Sequence, residues 1–87
     1  MYNTKQMRED KDSLFRESYK ILTKDFTKSV NKFIVFKEGK KNVEIEHGIG
    51  QRSLYIDILI SHFEKKEEYE KCKNLLTLKE LVIMSGD

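Results

Sequence analysis

The sequence predicts a small α+β domain built from a long N-terminal helix, a two-stranded β-hairpin and two C-terminal helices. Three observations support this fold class: a helical repeat of apolar residues over 10–31, an alternating segment over 33–46, and two later apolar segments that a charged run separates. The length of 87 residues suits a single domain, 1–87. Residues 1–9 precede the helical pattern, and disorder is allowed there.

The N-terminal helix is predicted from about Asp10 to Asn31. Its apolar residues recur at steps of three and four, which places them on one side of a helix: Phe15, Tyr19, Leu22, Phe26, Val30 and Phe33. A basic face on the opposite side continues into the hairpin and comprises Arg16, Lys20, Lys24, Lys28, Lys32, Lys37, Lys40 and Lys41. Leu14 and Ile21 fall outside the apolar stripe and are candidate apolar anchors for a partner.

A β-hairpin is predicted next, because a continued helix would place Val35 among the lysines. The segments from Phe33 to Lys37 and from Asn42 to Glu46 are aromatic, β-branched or alternating, as strands are. The letters EGKK between them supply the turn. A lone hairpin is marginal in water, so it must pack on the helices or pair with a strand of another chain.

The register of this hairpin depends on the length of its loop. A four-residue loop pairs Phe36 with Val43 on one face. The same loop pairs Ile34 with Ile45 on that face. A three-residue loop instead pairs Val35 with Val43, so both registers remain open.

Two C-terminal helices follow the turn glycines. In the first, from about Gln51 to Glu64, apolar residues cover most of the circumference, which predicts the most buried helix of the domain. The second carries apolar residues from Tyr69 to Leu81 and ends near Ser85. The charged run from Glu64 to Glu68 predicts a bend between them.

No set of residues in the chain completes a catalytic or cofactor site. His62 and Cys72 would lie roughly 15 Å apart along one continuous helix, and even with His47 they supply too few ligands for zinc. The GIG at 48–50 lacks the GK[ST] ending of a phosphate loop. We therefore expect no metal, no cofactor and no enzymatic activity.

Composition narrows the functional class further. Residues 1–42 contain eleven Lys and Arg against six acids (+5), whereas residues 43–87 contain six against nine (−3), which predicts a polarised surface. A single cysteine allows no internal disulfide and favours the cytoplasm. The longest apolar run is too short for a membrane span. Alanine, proline and tryptophan are absent, and lysine outnumbers arginine fourteen to three, which is typical of AT-rich genomes such as those of low-GC bacteria and their phages.

The segment LISHFEKKEEYEKCKNLLTLKEL, residues 59–81, resembles the UVR motif, a helical hairpin of excision-repair nuclease subunits and some bacterial protease adaptors. The similarity lies in an acidic turn before Tyr69, a small residue at Cys72 and a leucine at Leu75. The segment departs from the motif at Lys73, where a second small residue is usual, and at Leu76, where an arginine is usual. The resemblance implies a protein-docking hairpin without catalysis of its own.

These features predict a non-enzymatic protein-interaction module, of the kind that a phage or mobile element uses to regulate or inhibit a larger host protein. The alternative is a small nucleic-acid-binding regulator that places the same lysines on phosphates. The scarcity of arginine argues against sequence-specific DNA reading. An exposed hairpin edge also allows a homodimer by strand pairing.

Overall fold

The computed structural model describes the backbone of residues 4–45 and 50–86 and the side chains of residues 11–45 and 50–86. Its elements, in chain order, are α1 (Thr4–Lys24), α2 (Phe26–Asn31), β1 (Ile34–Glu38), β2 (Lys41–Glu44), α3 (Gln51–Lys65) and α4 (Tyr69–Met84). The predicted α+β fold, with a hairpin between N-terminal and C-terminal helical segments, is confirmed. The main difference is that the N-terminal helical segment is two helices.

The division between α1 and α2 falls at Asp25. Its backbone is extended, with φ −150° and ψ 102°, and its carboxylate accepts the Lys28 N–H at 3.1 Å. An aspartate in this position caps the N-terminus of a new helix. The Ser29 hydroxyl, which is buried, donates to the Leu22 carbonyl at 2.8 Å and ties α2 back to α1. The prediction of one helix from Asp10 to Asn31 was therefore wrong at Asp25, and α1 also begins earlier.

The hairpin has a tighter turn than predicted. Glu38 pairs with Lys41, so the loop contains two residues, and Gly39 adopts the positive φ of 65° that such turns require. The pairing of Phe36 with Val43 is confirmed. The predicted end of the second strand at Glu46 lies outside the described residues.

A β-bulge in β1 changes the rest of the register. The pairing shifts between Ile34 and Phe36, which leaves Val35 as the additional residue. Ile34 consequently lies opposite Glu44 rather than opposite Ile45 as predicted. The bulge thus moves Ile34 to the other face of the hairpin.

Side chains of α1 bond to the outer edge of β1. The Glu17 carboxylate accepts the Lys37 N–H at 2.9 Å. The Ser18 hydroxyl donates to the Val35 carbonyl and lies 2.8 Å from the Tyr55 hydroxyl, from which it can accept. These bonds replace the neighbouring strand that β1 lacks on that side, and they fix the hairpin against α1.

The hydrophobic core draws on α1, the hairpin region, α3 and α4, and its buried residues are Phe15, Leu22, Phe33, Val35, Ile56, Leu59, Phe63, Leu75, Leu78 and Val82. The helix α3 was predicted to be buried around most of its circumference. That prediction was wrong for Leu54 and Ile58, which are 61% and 45% exposed. The α3 residues in contact with the core follow the narrower stripe of an ordinary amphipathic helix.

The predicted bend between the last two helices is confirmed. The chain leaves α3 at Lys65 and turns through Glu67, which has a positive φ of 59°, before α4 begins. The two helices run antiparallel, since Arg52 near the start of α3 donates to Ser85 at the end of α4 at 3.2 Å. Arg52 is fully buried; it also donates to the Val30 carbonyl, and its guanidinium lies over the Phe33 ring.

Candidate interaction surface

An open groove of about 410 Å³ lies where α1, α2 and the hairpin meet. Four exposed residues of the predicted basic face line it: Lys24, Lys28, Lys32 and Lys37. We call this site the lysine groove. Lys24 belongs to α1, Lys28 to α2 and Lys37 to β1, so tertiary structure brings together charges that the sequence distributes over fourteen positions.

The floor of the lysine groove is apolar. Ile21, one of the two predicted anchors, lines it together with Ile34. Ile34 reaches this position because of the bulge. It pairs with Glu44, and Lys37 pairs with Asn42. Because Glu44 and Asn42 are alternate residues of β2, they lie on one face. Periodicity could not reveal Ile34 as a groove residue, since regular alternation places it beside Phe36.

Two polar side chains in the groove wall already have intramolecular partners. The Asp25 carboxylate caps α2, and the Ser29 hydroxyl bonds to α1. Both were missed by sequence reasoning, although an aspartate immediately before an apolar stripe residue, here Phe26, is a usable capping signal. The chemically available groups of the groove are therefore its ammonium groups, the amide of Asn42 and its two isoleucines.

The groove carries an excess of positive charge. Four lysines face Asp25 in the wall and Glu44 at the margin, whose carboxylate lies 3.8 Å from the Lys32 Nζ. Both side chains of that ion pair are more than a third exposed, so solvent screens it and its contribution is small. A concave surface lined by one sign of charge raises the local concentration of ligands of the opposite sign.

The other predicted contact residues lie elsewhere. Lys20, Lys40 and Lys41 are exposed but do not line the groove, the last two being at the hairpin turn. Leu14 is half-buried and also lies outside it. Arg16 requires a correction: instead of extending the basic face, its guanidinium bonds to two carboxylates.

Arg16 stands at the centre of an ionic cluster that joins α1 to the α3–α4 turn. It donates to Asp12 at 2.8 Å and, through two nitrogens, to both oxygens of Glu68 at 3.0 and 2.6 Å. His62 Nε2 lies 2.7 Å from Asp12 Oδ1. The hydrogen bonds from Arg16 lower the pKa of Asp12 to about 2 and the pKa of Glu68 to about 2, and the carboxylates raise the pKa of Arg16.

His62 and Cys72 serve packing and structure in this arrangement. The His62 ring packs edge-on against Phe15 and Phe63. The Cys72 thiol contacts the Ile60 carbonyl at 3.5 Å, and burial, aided by Glu64, raises the pKa of the thiol and disfavours the reactive thiolate. Within residues 11–45 and 50–86, no three His, Cys, Asp or Glu side chains gather in a way that could hold a metal ion.

Comparison with known proteins found no match, so a proposal about function depends on the fold and the lysine groove. No protein-family model, no curated protein and no solved structure matches this chain. In the described part of the chain, none of the helices has the length and apolarity to cross a bilayer.

Proposed function

We propose that this chain is a non-enzymatic protein-interaction module whose lysine groove binds an acidic segment of a larger protein. The observation that carries this proposal is the convergence of four lysines from the α1, α2 and β1 region around Ile21 and Ile34. Ammonium groups around an apolar floor complement a segment in which carboxylates flank a hydrophobic side chain. The biological role that fits such binding is that of a small phage or mobile-element regulator or inhibitor of a host protein.

Two features favour an acidic protein segment over a nucleic acid. The isoleucine floor offers contact area to an apolar side chain, whereas a phosphate backbone gains little from it. Arg16, the basic-face residue suited to bidentate contact with guanine, is engaged with Asp12 and Glu68.

The direct test measures binding of a labelled peptide in which one leucine is flanked by glutamates. The variant Lys24→Glu/Lys28→Glu is compared with Lys65→Glu/Lys73→Glu, which makes the same change in net charge on exposed residues outside the groove. We expect the groove variant to bind roughly tenfold more weakly or worse, from the loss of two exposed ion pairs. The control should bind like the wild type.

A second peptide with serine in place of leucine, and a single-stranded DNA of similar charge, complete the test. Binding to an apolar-anchored groove requires the leucine and declines modestly with salt. Tighter binding to the DNA, falling by orders of magnitude between low and moderate salt, would instead establish the nucleic-acid alternative. A nuclease-treated pulldown from an AT-rich bacterial host with both variants then names the partner.

A further inference from the structure

The side of α3 and α4 that faces away from α1 exposes branched aliphatic side chains. Leu54 on α3 is 61% exposed, and Leu76 and Ile83 on α4 are 50% and 51% exposed. Between them, Lys79 Nζ bonds to Asp57 Oδ1 at 2.8 Å across the seam. We call the surface formed by Leu54, Asp57, Leu76, Lys79 and Ile83 the outer helical face.

The antiparallel helices determine the level of each residue along this face. The contacts of Arg52 with Ser85 and of Asp57 with Lys79 show which residues are side by side. Leu54 lies about one turn before Asp57 and Ile83 about one turn after Lys79, so these two aliphatic residues lie at the same end of the ion pair. Leu76 lies about one turn from Lys79 toward the other end.

This pattern is complementary to itself. If a second copy is placed on the face by a two-fold axis parallel to the helices, α3 of one copy lies over α4 of the other. Leu54 then meets Ile83 of the second copy, and Asp57 meets its Lys79. The contact of Leu54 with Ile83 is aliphatic and that of Asp57 with Lys79 joins opposite charges, and each occurs twice because the interface is isologous.

We infer that two copies of this chain associate through the outer helical face as an antiparallel four-helix arrangement. Each helix then has antiparallel neighbours, as in up-and-down bundles. The other two-fold arrangement stacks α3 on α3 about an axis perpendicular to the helices. When that axis lies at the level of the ion pair, Asp57 falls over Asp57 and charge repulsion disfavours the contact. The lysine groove, formed by α1, α2 and the hairpin, is not part of this contact.

The first experiment measures molar mass by light scattering during size-exclusion chromatography. The wild type should be dimeric, and Ile83→Asp should weaken the dimer by at least about tenfold, because a carboxylate would be buried against leucine. Met84→Asp is the matched control, since Met84 is exposed on the adjacent position but lies to one side of the face. Circular dichroism of both variants establishes that they are folded. A wild-type monomer, or a dimer that Ile83→Asp leaves intact, would overturn the inference.

The second experiment tests the arrangement. In a Cys72→Ser background, Leu54→Cys and Ile83→Cys proteins are oxidised separately and as a mixture. The inferred two-fold axis brings position 54 of one copy to position 83 of the other, so the mixture should form a cross-linked dimer of the two variants. Preferential linkage of Leu54→Cys to itself would refute this geometry, as would the absence of any cross-link.

Discussion

Individual side chains in this molecule take roles that their position in the sequence does not reveal. Arg16 falls on the basic face by helical spacing, yet it bonds to Asp12 and Glu68, and the second of these lies 52 residues away. Spacing along a helix can indicate the Asp12 contact, since the two residues are four apart. The contact with Glu68 depends on how α1 packs against the α3–α4 turn, which no local pattern contains.

The ionic cluster predicts a loss of stability in acid. Hydrogen bonds lower the pKa of Asp12 from 3.8 and of Glu68 from 4.5, both to about 2, in the folded state. The unfolded chain therefore binds protons first as the pH falls, and the stabilisation is complete above the ordinary values and lost between pH 4.5 and pH 2. We expect the melting temperature to fall across that interval, as measured by circular dichroism.

Substitution of the two carboxylates provides the check on this assignment. The variant Asp12→Asn/Glu68→Gln should be less stable at neutral pH, and its melting temperature should fall less steeply in acid than that of the wild type. Glu80→Gln, which alters an exposed carboxylate of α4, should retain the decline of the wild type. An equally steep decline in the double variant would assign the acid sensitivity to other groups.

Burial on α4 makes a second prediction at this scale. Leu78 is fully buried, whereas Leu81, three positions along the same helix, is 37% exposed. Leu78→Ala should lower the free energy of unfolding by about 2–5 kcal/mol, because it removes packed methyl groups and leaves a cavity. Leu81→Ala should cost less than about 1 kcal/mol. Urea titrations measure both, and similar costs would contradict the placement of these two leucines.

Whole elements followed their sequence patterns more closely than their ends and irregularities did. The periodic segments correctly predicted the hairpin, α3 and α4, because each has an apolar stripe or alternation that only one element satisfies. The break at Asp25 was missed, since the stripe from Phe15 to Val30 continues across it. The bulge at Val35 was missed because regular alternation offers no sign of one additional residue.

The break at Asp25 can be tested through its cap. Asp25→Ala should lower the free energy of unfolding by about 1 kcal/mol, because the Lys28 N–H loses its acceptor. Asp25→Ser should restore most of that loss, since serine also caps helices. The measurement is chemical unfolding, with hydrogen exchange at Lys28 as the local readout. Unchanged exchange in Asp25→Ala would show that the carboxylate does not hold this amide.

At the scale of the molecule, the sequence predicted the fold class, and four of the eight residues of the predicted basic face line the lysine groove. Lys24, Lys28, Lys32 and Lys37 come together because the chain turns back after α2, and the hairpin then packs on α1. The exposed aliphatic residues of α3 and α4 were not foreseen. From the sequence alone, an apolar residue on a helix is assigned to the core. Only the positions of the neighbouring elements show whether anything covers it.

A shared core predicts cooperative unfolding of the whole domain. Buried residues come from α1, the hairpin region, α3 and α4, so the loss of one element exposes apolar surface on the others. We expect one two-state transition in urea, with coincident curves from circular dichroism of the helices and from tyrosine absorbance, to which Tyr55, in contact with Ser18, contributes. Separate transitions would show that the hairpin and the C-terminal helices unfold independently.

The bonds from Glu17 and Ser18 to β1 also limit how this protein can aggregate at high concentration. A strand with open backbone groups is a template for fibrils, and a growing stack needs every hairpin to accept a neighbour on two sides. Because side chains of α1 occupy the outer edge of β1, a native hairpin can accept a neighbouring strand along β2 alone. Strand addition between native copies therefore stops at a pair, and growth of a fibril first requires α1 to detach.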